Sequence, residues 1–470
     1  MTETGHHPMA LLHDAAPQTA TVSETAPTGP SDRGAVPLAS GALPVLGHLP
    51  AFMHDATGVL RRGYAEHGYL FGLRLAGVSA VVMLDPGHRR EILGQPEEAL
   101  SIAASYPFLK TMFGSDFYFM AETSEYQRQR ELYVPVFRGA ALHDYLAIME
   151  RHTRQLVQRM GAAGELDIVR TCAELNLRII ADTFFGPDLG HHLAGSLDAF
   201  ERFSANVSFL LPPWMRPTRA LRSRSARRQL HTLVRRCLAE RRAHPRPTAD
   251  FLQSLCESRY SDGRPVPDES IVHQALGLVW AARETTSGQL AWALADLLTH
   301  PEHRTALLAE QQPLAAAGTT LTMEGLHRLT HLDHVLYESE RLHPLAILIA
   351  RRALRDLHIG SHHVPRGTMV LTSPYLTHRL PEEFPDPEAF RPRRYAEDPK
   401  AVQRLLGFGA GVHRCLGRRF ARLETKVLVT LLLRHFHMEL LDTPTPVTGL
   451  APRGLSGPCR MRYRRRADTA

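Results

Sequence analysis

From Asp268 to Leu298 the chain carries a helical pattern that no proline interrupts. At about 1.5 Å per residue such a helix is ~45 Å long. A helix of that length in a globular chain crosses the whole molecule, so every other element must be arranged around it. Further helical patterns cover Asp144–Met160, Glu174–Phe185, Leu193–Leu211, Ser225–Arg242, Glu302–Ala317, Leu332–His343 and Leu416–Phe436. Leu70–Leu75 and Ala80–Leu84 read as a hairpin turning at Ala76-Gly77-Val78, and short strands recur at His358–Ile359, Val364, Met369–Ser373 and Pro458–Tyr463. The predicted class is mainly α with small β-sheets. A length of 470 residues alone suggests about three domains at ~150 residues each. Small sheets at both chain ends around dominant helices argue instead for one interleaved domain, residues 41–470. Residues 1–40 are rich in Pro, Ala, Thr, Gly and Ser without an apolar period, and read as a disordered leader.

A hydrophobic fraction of 44% and a charged fraction of 22% are ordinary for a globular protein. The net charge of +7 comes almost wholly from arginine, since Lys110, Lys400 and Lys426 are the only lysines. No basic run is interleaved with stacking aromatics, which argues against nucleic-acid binding. The five cysteines are odd in number, widely spaced and free of any C-x-x-C, which argues against disulfides or zinc and for a reducing compartment, the cytoplasm. Neither a signal peptide nor an apolar stretch of ~20 residues is expected, hence no membrane anchor.

The chemistry concentrates in the run Phe408-Gly409-Ala410-Gly411-Val412-His413-Arg414-Cys415-Leu416-Gly417. A glycine-rich turn and a basic pair deliver one cysteine to the start of a helix. There the helix dipole and unpaired N–H groups favour an ionised sulfur. A lone thiolate suits the axial position of a haem iron, where it pushes electron density onto the metal and favours O–O cleavage. The run resembles the haem-binding loop of the cytochrome P-450 family, Phe-x-x-Gly-x-x-Arg-x-Cys-x-Gly, through Phe408, Gly411, Arg414, Cys415 and Gly417. The resemblance extends over about Leu43 to Tyr463. It implies a single triangular-prism-like domain with a long central helix over haem b, Cys415 as metal ligand, and Phe408, Gly409, Gly417 and Ala281 against the cofactor.

The long helix carries Ala281-Ala282-Arg283-Glu284-Thr285-Thr286, similar to the family's oxygen-activating motif, with Ala282 where glycine is commonest. This implies catalytic roles for Thr285, bonded to the dioxygen, and Glu284, feeding a proton relay through water. Glu338 and Arg341 match the Glu-x-x-Arg motif, whose i, i+3 spacing shares one helix face. Arg394, in Phe390-Arg391-Pro392-Arg393-Arg394-Tyr395, is the implied third member of that structural network, while Glu340 reads as an exposed helix residue. The haem propionates imply cations, matched here by Arg130, Arg351 and His413, with Tyr126 offering a hydroxyl; Arg128 and Arg352 are the alternatives.

By position, the implied substrate contacts are Tyr106, Phe108, Phe113, Phe117, Phe209, Leu210, Trp280, Ala281, Leu345, Ile347 and Leu455. They are apolar and aromatic, so the substrate is expected to be a hydrophobic small molecule. Tyr106-Pro107-Phe108, Phe113-Gly114 and Thr285-Thr286-Ser287-Gly288 resemble the sterol 14α-demethylase branch. That branch has histidine where this chain has Glu284 and glycine where it has Ala282, so a terpenoid, polyketide or other secondary metabolite is expected instead. The expected type is the soluble bacterial monomer. Arg414, Arg418, Arg419 and Arg422 form a basic cluster suited to an acidic ferredoxin, supplied by a ferredoxin reductase. The expected reaction is insertion of one oxygen atom from O₂ into a C–H or C=C bond. Sterol 14α-demethylase-like oxidation, a peroxide-using or non-redox haem-thiolate enzyme, and a haem sensor are the competing readings.

Overall fold

A computed structural model describes residues 34–114, 117–120, 123–137, 139–204, 217–246, 250–260, 262–316, 320–447 and 453–467. Leu38 bridges Gly72, so pairing begins five residues before the predicted entry segment at Leu43. Strands β1 (Leu70–Leu75) and β2 (Val78–Met83) form the predicted hairpin, with Leu75 opposite Val78. The turn is therefore two residues, one shorter than the sequence suggests. Ala76 and Gly77 both take positive φ, 48° and 83°, a twist that matches the strands they join.

The hairpin continues into a sheet of order β1-β2-β8-β5-β3, with β3 at Leu100–Ser101, β5 at Ile349–Ala353 and β8 at Met369–Thr372. Strand β5 has no counterpart in the sequence reading, because Ile-Ala-Arg-Arg-Ala shows no apolar alternation. Pairing with β8 on one side and β3 on the other nonetheless leaves Ala350, Arg351 and Ala353 buried. In a second sheet the C-terminal strand β10 (Arg460–Arg465) lies between β4 (Ala163–Asp167) and β9 (Phe436–Leu440). Strands β6 (Leu357–Ile359) and β7 (His362–Val364) pair alone. Both larger sheets join segments hundreds of residues apart, which makes one interleaved unit of the chain.

The helices that position the site are α1 (Pro86–Gly94), α2 (Thr123–Tyr133), α3 (Ala140–Met160), α4 (Ile168–Ala194), α5 (Leu197–Ser204), α6 (Pro217–Ala243), α7 (Asp268–Thr299), α8 (Thr330–Leu342) and α9 (Arg418–His435). The predicted helix at residues 193–211 is not continuous. Helix α4 kinks at Gly186 (φ 74°), before Pro187, and the chain breaks again at Gly195 before α5. Glycine gives up helical order cheaply, and proline removes an amide donor. Residues 205–216 lie outside the described residues.

Helix α7 has 32 residues, about 48 Å at the α-helical rise. Asp268 and Glu269 in its first turn complement the helix dipole. Most of its side chains are buried, packed against α4, α6, α8 and α9. No helix among the described residues is long and apolar enough to cross a membrane.

Candidate active site

Cys415 lies between a one-turn helix, Gly411–His413, and the start of α9. Its N–H donates to the Phe408 carbonyl at 2.9 Å, closing the loop. Gly409 and Gly411 take φ of 69° and 65°, where an L side chain is strained. Gly411 has a second reason to be glycine: a Cβ there would stand 1.9 Å from the Leu93 carbonyl oxygen at the end of α1. Of the five cysteines, all free, Cys415 is the exposed one. Protein nevertheless crowds it, and this desolvation raises the thiol above its ordinary value. The Gly417 and Arg418 N–H groups and the charges of Arg418 and Arg130 pull the other way. The helix terminus therefore assists the thiolate, as its sequence position suggests, but does not by itself outweigh burial. A sulfur with accessible surface and N–H donors aimed at it is suited to ionise when a metal cation binds.

Around this loop the structure gathers Tyr126 and Arg130 of α2, Arg351 of β5 and His413. The Tyr126 hydroxyl donates to the Val412 carbonyl at 3.2 Å and accepts from Arg130 Nη1 at 3.3 Å. Its ring meets the His413 ring edge-on at 4.7 Å. Arg351 is 5% exposed, and among the described residues no carboxylate pairs with it. Burial depresses its pKa, against the fields of Tyr106, Glu97 and Tyr126. His413 is likewise depressed, mainly by burial. Its Nε2 is 2.9 Å from Glu97 Oε2, while its Nδ1 is buried without a partner.

Glu97 is the member that sequence reasoning missed. Burial raises its carboxyl, but His413, Ser101 and two backbone amides outweigh burial and hold it below the usual range. A buried arginine without an acid and an unpartnered ring nitrogen fit an anionic ligand, as the carboxylates of a haem would be. Arg128 and Arg352, the alternatives, are engaged elsewhere. Arg128 faces Tyr260 and Asp262, and Arg352 bonds the Ala104 and Gly367 carbonyls.

On α7 the Thr285 hydroxyl donates to the Ala281 carbonyl at 2.7 Å, and Thr285 is exposed between half-buried Glu284 and buried Thr286. Glu284 is half-buried and touches the guanidinium of Arg283, whose pKa burial pushes down to about 10. Asn176 of α4 donates to the Ala282 and Arg283 carbonyls at 3.3 and 3.0 Å. The Ser287 hydroxyl bonds the Arg283 carbonyl at 2.6 Å. One stretch of α7 backbone is thus bonded by three side chains beside its own ladder, which loosens the helix locally.

The aromatic candidates cluster one turn before Thr285. Phe113 packs at 4.9 Å from Phe117, 5.3 Å from Trp280 and 5.6 Å from Phe203 of α5. A Cβ at Gly277 would meet the Phe117 ring at 2.2 Å. One turn after Thr285, a Cβ at Gly288 would stand 2.4 Å from Leu345 Cδ1. The Arg453 N–H holds the Leu345 carbonyl at 2.8 Å, next to Leu455. Phe113, Phe117, Leu345, Ile347 and Leu455 are buried, while Phe108 and Trp280 are half-buried. The Tyr106 ring meets Phe108 edge-on at 6.2 Å, and its hydroxyl accepts the Ala350 N–H at 3.0 Å, beside Arg351. Phe209 and Leu210 lie outside the described residues.

Glu338 and Arg341 are fully buried, and Arg394 is 5% exposed. Glu338 receives Arg341 at 2.8 and 2.9 Å, Arg394 at 3.0 and 3.1 Å, and the Arg391 N–H at 2.8 Å. The remaining guanidinium N–H groups bond backbone carbonyls of residues 378–389. Glu340 is not an exposed helix residue but is 3% exposed, paired with Arg422 at 2.7 Å. Arg422 in turn lies over the Phe408 and Tyr337 rings, so it does not belong to an open basic face with Arg419.

Comparison with known proteins agrees with this geometry. The family model described as Cytochrome P450 matches residues 37–455. The chain is 30% identical to the sterol 14α-demethylase of Mycobacterium tuberculosis, over 92% of this chain and 98% of that protein. It is 28% identical to the sterol 14-demethylase of Arabidopsis thaliana, over 90% of each. Among solved structures it resembles retinoic acid bound cyanobacterial CYP120A1, at 25% identity and a TM-score of 0.81, over 92% of this chain and all of that one. A match running through the cysteine loop, the cation cluster and the central helix identifies the chain as a member of the cytochrome P450 family, a haem-thiolate monooxygenase.

Proposed function

We propose that this enzyme inserts one oxygen atom of O₂ into a hydrophobic isoprenoid- or polyketide-type metabolite, by hydroxylation or epoxidation. The observation that carries this is the exposed Thr285 hydroxyl beside Glu284 on a buried helix. That acid–alcohol pair is what reductive O₂ chemistry needs and what peroxide-driven or non-redox chemistry does not.

Haem b, ligated by Cys415, supplies the binding and activation of O₂. Arg130, Arg351 and His413 hold its carboxylates through charged hydrogen bonds, with Tyr126 as a further donor. Thr285 would offer its hydroxyl hydrogen to the pocket once it leaves the Ala281 carbonyl. Glu284 passes protons to that hydroxyl through water, and its contact with Arg283 fixes where the carboxylate stands. Phe108, Phe113, Phe117, Trp280, Leu345, Ile347 and Leu455 supply apolar walls that exclude water and orient the substrate. Electrons come from a ferredoxin and its reductase, docking near Arg414, Arg418 and Arg419.

The sterol demethylase relatives, and the structural neighbour with bound retinoic acid, support an isoprenoid-derived substrate. Sterol 14α-demethylation itself is the second reading, favoured by those relatives and opposed by Glu284 and Ala282. Thr285→Ala with ferredoxin, reductase and NADPH is the test. Electron consumption should continue while product per NADPH falls about tenfold. Unchanged coupling, or peroxide turnover equal to ferredoxin-driven turnover in the parent enzyme, would overturn the proposal. A ferric spin-state shift with terpenoid or polyketide candidates, set against sterols, separates the substrate readings.

A further inference from the structure

Two helices bring three metal-ligating side chains together outside the cysteine loop. His231 lies on α6; Glu269 and His273 lie one turn apart near the start of α7. One ligand atom from each falls within 4.8 Å of the other two. His273 Nε2 is 3.3 Å from Glu269 Oε1, and the two imidazole rings meet edge to face at 5.4 Å. A tetrahedral zinc with bonds of about 2.0–2.1 Å sets its ligand atoms about 3.4 Å apart. The Glu269–His273 edge already has that length, and the His231 edges need to close by no more than about 1.5 Å.

A second observation points to a ligand. His231 is 9% exposed, and its Nε2 is buried with no hydrogen-bond partner. Buried ring nitrogens are nearly always paired. Burial depresses this imidazole to about 4, so it is neutral, the form that binds metals. Arg235 holds the other oxygen of Glu269 at 2.6 Å, which fixes the carboxylate as a supporting hydrogen bond does around metal sites. Arg227, the other cation facing His231, is turned to the Met112 carbonyl at 2.8 Å. Glu269 is exposed and gives an ion its way in.

We propose that His231, Glu269 and His273 form a three-ligand site for a divalent ion of the zinc class, which fastens α6 to α7. Two imidazoles and one carboxylate suit zinc, cobalt or nickel and not magnesium. The site is separate from the Glu284–Thr285 pair: His273 precedes Thr285 by twelve residues, about 18 Å along α7. Its reach is through packing. Helix α6 lies against α5, whose Phe203 sits edge-on to Phe113 in the aromatic cluster. A bound ion therefore restrains α5 and α6 over that cluster.

The test is calorimetric titration of chelator-treated holoenzyme with ZnCl₂ at neutral pH. The parent should bind one zinc per chain more than the His231→Gln/His273→Gln double variant. Glu269→Gln should weaken that event at least about tenfold. Saturating zinc should raise the melting temperature by about 2–4 °C in the parent and not in the double variant. The ferric and CO-bound spectra establish that each variant retains haem; if the double variant does not, Glu269→Gln decides. Equal stoichiometry and affinity in parent and variants, or equal binding of Mg²⁺, would overturn the proposal.

Discussion

Replacing Glu340 by glutamine separates what a sequence implies from what the fold imposes. On the sequence, Glu340 is an ordinary helix carboxylate, and losing an exposed ion pair costs about 0–1 kcal/mol. In the structure its side chain is 4% exposed and its partner Arg422 is 22% exposed, with nitrogen and oxygen 2.7 Å apart. The guanidinium also lies 4.7 Å from the Tyr337 centroid and 5.3 Å from that of Phe408. Breaking a buried pair from one side strands a desolvated cation and costs about 3–5 kcal/mol. Arg422 keeps some contact with water, so the lower end, about 3 kcal/mol, applies. An unfolding entropy of about 2.1 cal/mol/K per residue gives this chain about 1 kcal/mol/K. The melting temperature should therefore fall by about 3 °C.

Glutamine keeps the shape, so the loss reports the charge. The assay is thermal unfolding of the ferric holoenzyme by circular dichroism. It is read beside the fraction of CO complex with the thiolate band, because the Phe408 carbonyl holds the Cys415 N–H. Glu324→Gln, in an exposed pair with Arg328, serves as the reference and should be silent. A Glu340→Gln midpoint within about 1 °C of the parent would refute the reasoning.

His378 is fully buried, donates from Nδ1 to the Arg341 carbonyl and accepts the Leu406 N–H at Nε2. Burial holds its pKa at about 3, below the ordinary value of 6.5. The unfolded chain thus takes up a proton that the folded chain refuses. Stability is full above about pH 6.5 and declines as pH falls towards 3, by about 2 kcal/mol at pH 5. Urea midpoints at pH 7.5 and 5.0 should show that decline, and His378→Asn should remove this part of it; an unchanged slope would exclude His378 as the source. Gly411→Ala should abolish stoichiometric haem, since φ of 65° and the Leu93 carbonyl both oppose a Cβ. Gly409→Ala, whose Cβ meets nothing nearer than 3.8 Å, should cost only about 1–2 kcal/mol and keep the haem. Arg351→Gln should speed haem loss to an apo-globin acceptor by about 10–100-fold, the worth of one charged hydrogen bond of ~1.5–3 kcal/mol.

The parts of this molecule that a reader of the sequence can find are those whose cause is local. Helix α7 follows from an uninterrupted helical pattern, and the Cys415 loop from glycines and a helix start within ten residues. Glu338 and Arg341 share a face because i, i+3 spacing forces it. The parts that stay hidden depend on partners far along the chain. Glu97 meets His413 across 316 residues, Arg422 meets Glu340 across 82, and Asn176 reaches the α7 carbonyls from 106 and 107 residues away. Strand β5 carries no pattern of its own, and pairing with β8 and β3 makes it a strand. The break at Gly195 outweighs a helical pattern that continues on both sides of it.

The short segment between Leu93 and Glu97 touches the cysteine loop twice, once as the carbonyl that leaves no room for a side chain at Gly411 and once as the acid on His413. A loop that looks like a transferable cassette is therefore half of a matched pair. Chimaeras that exchange residues 408–417 between relatives without the stretch around 93–97 would seat one family member's loop on another's edge. Recombination libraries built with both segments from one parent should yield more haem-loaded proteins than libraries that split them. The two segments form one structural unit although 316 residues separate Glu97 from His413.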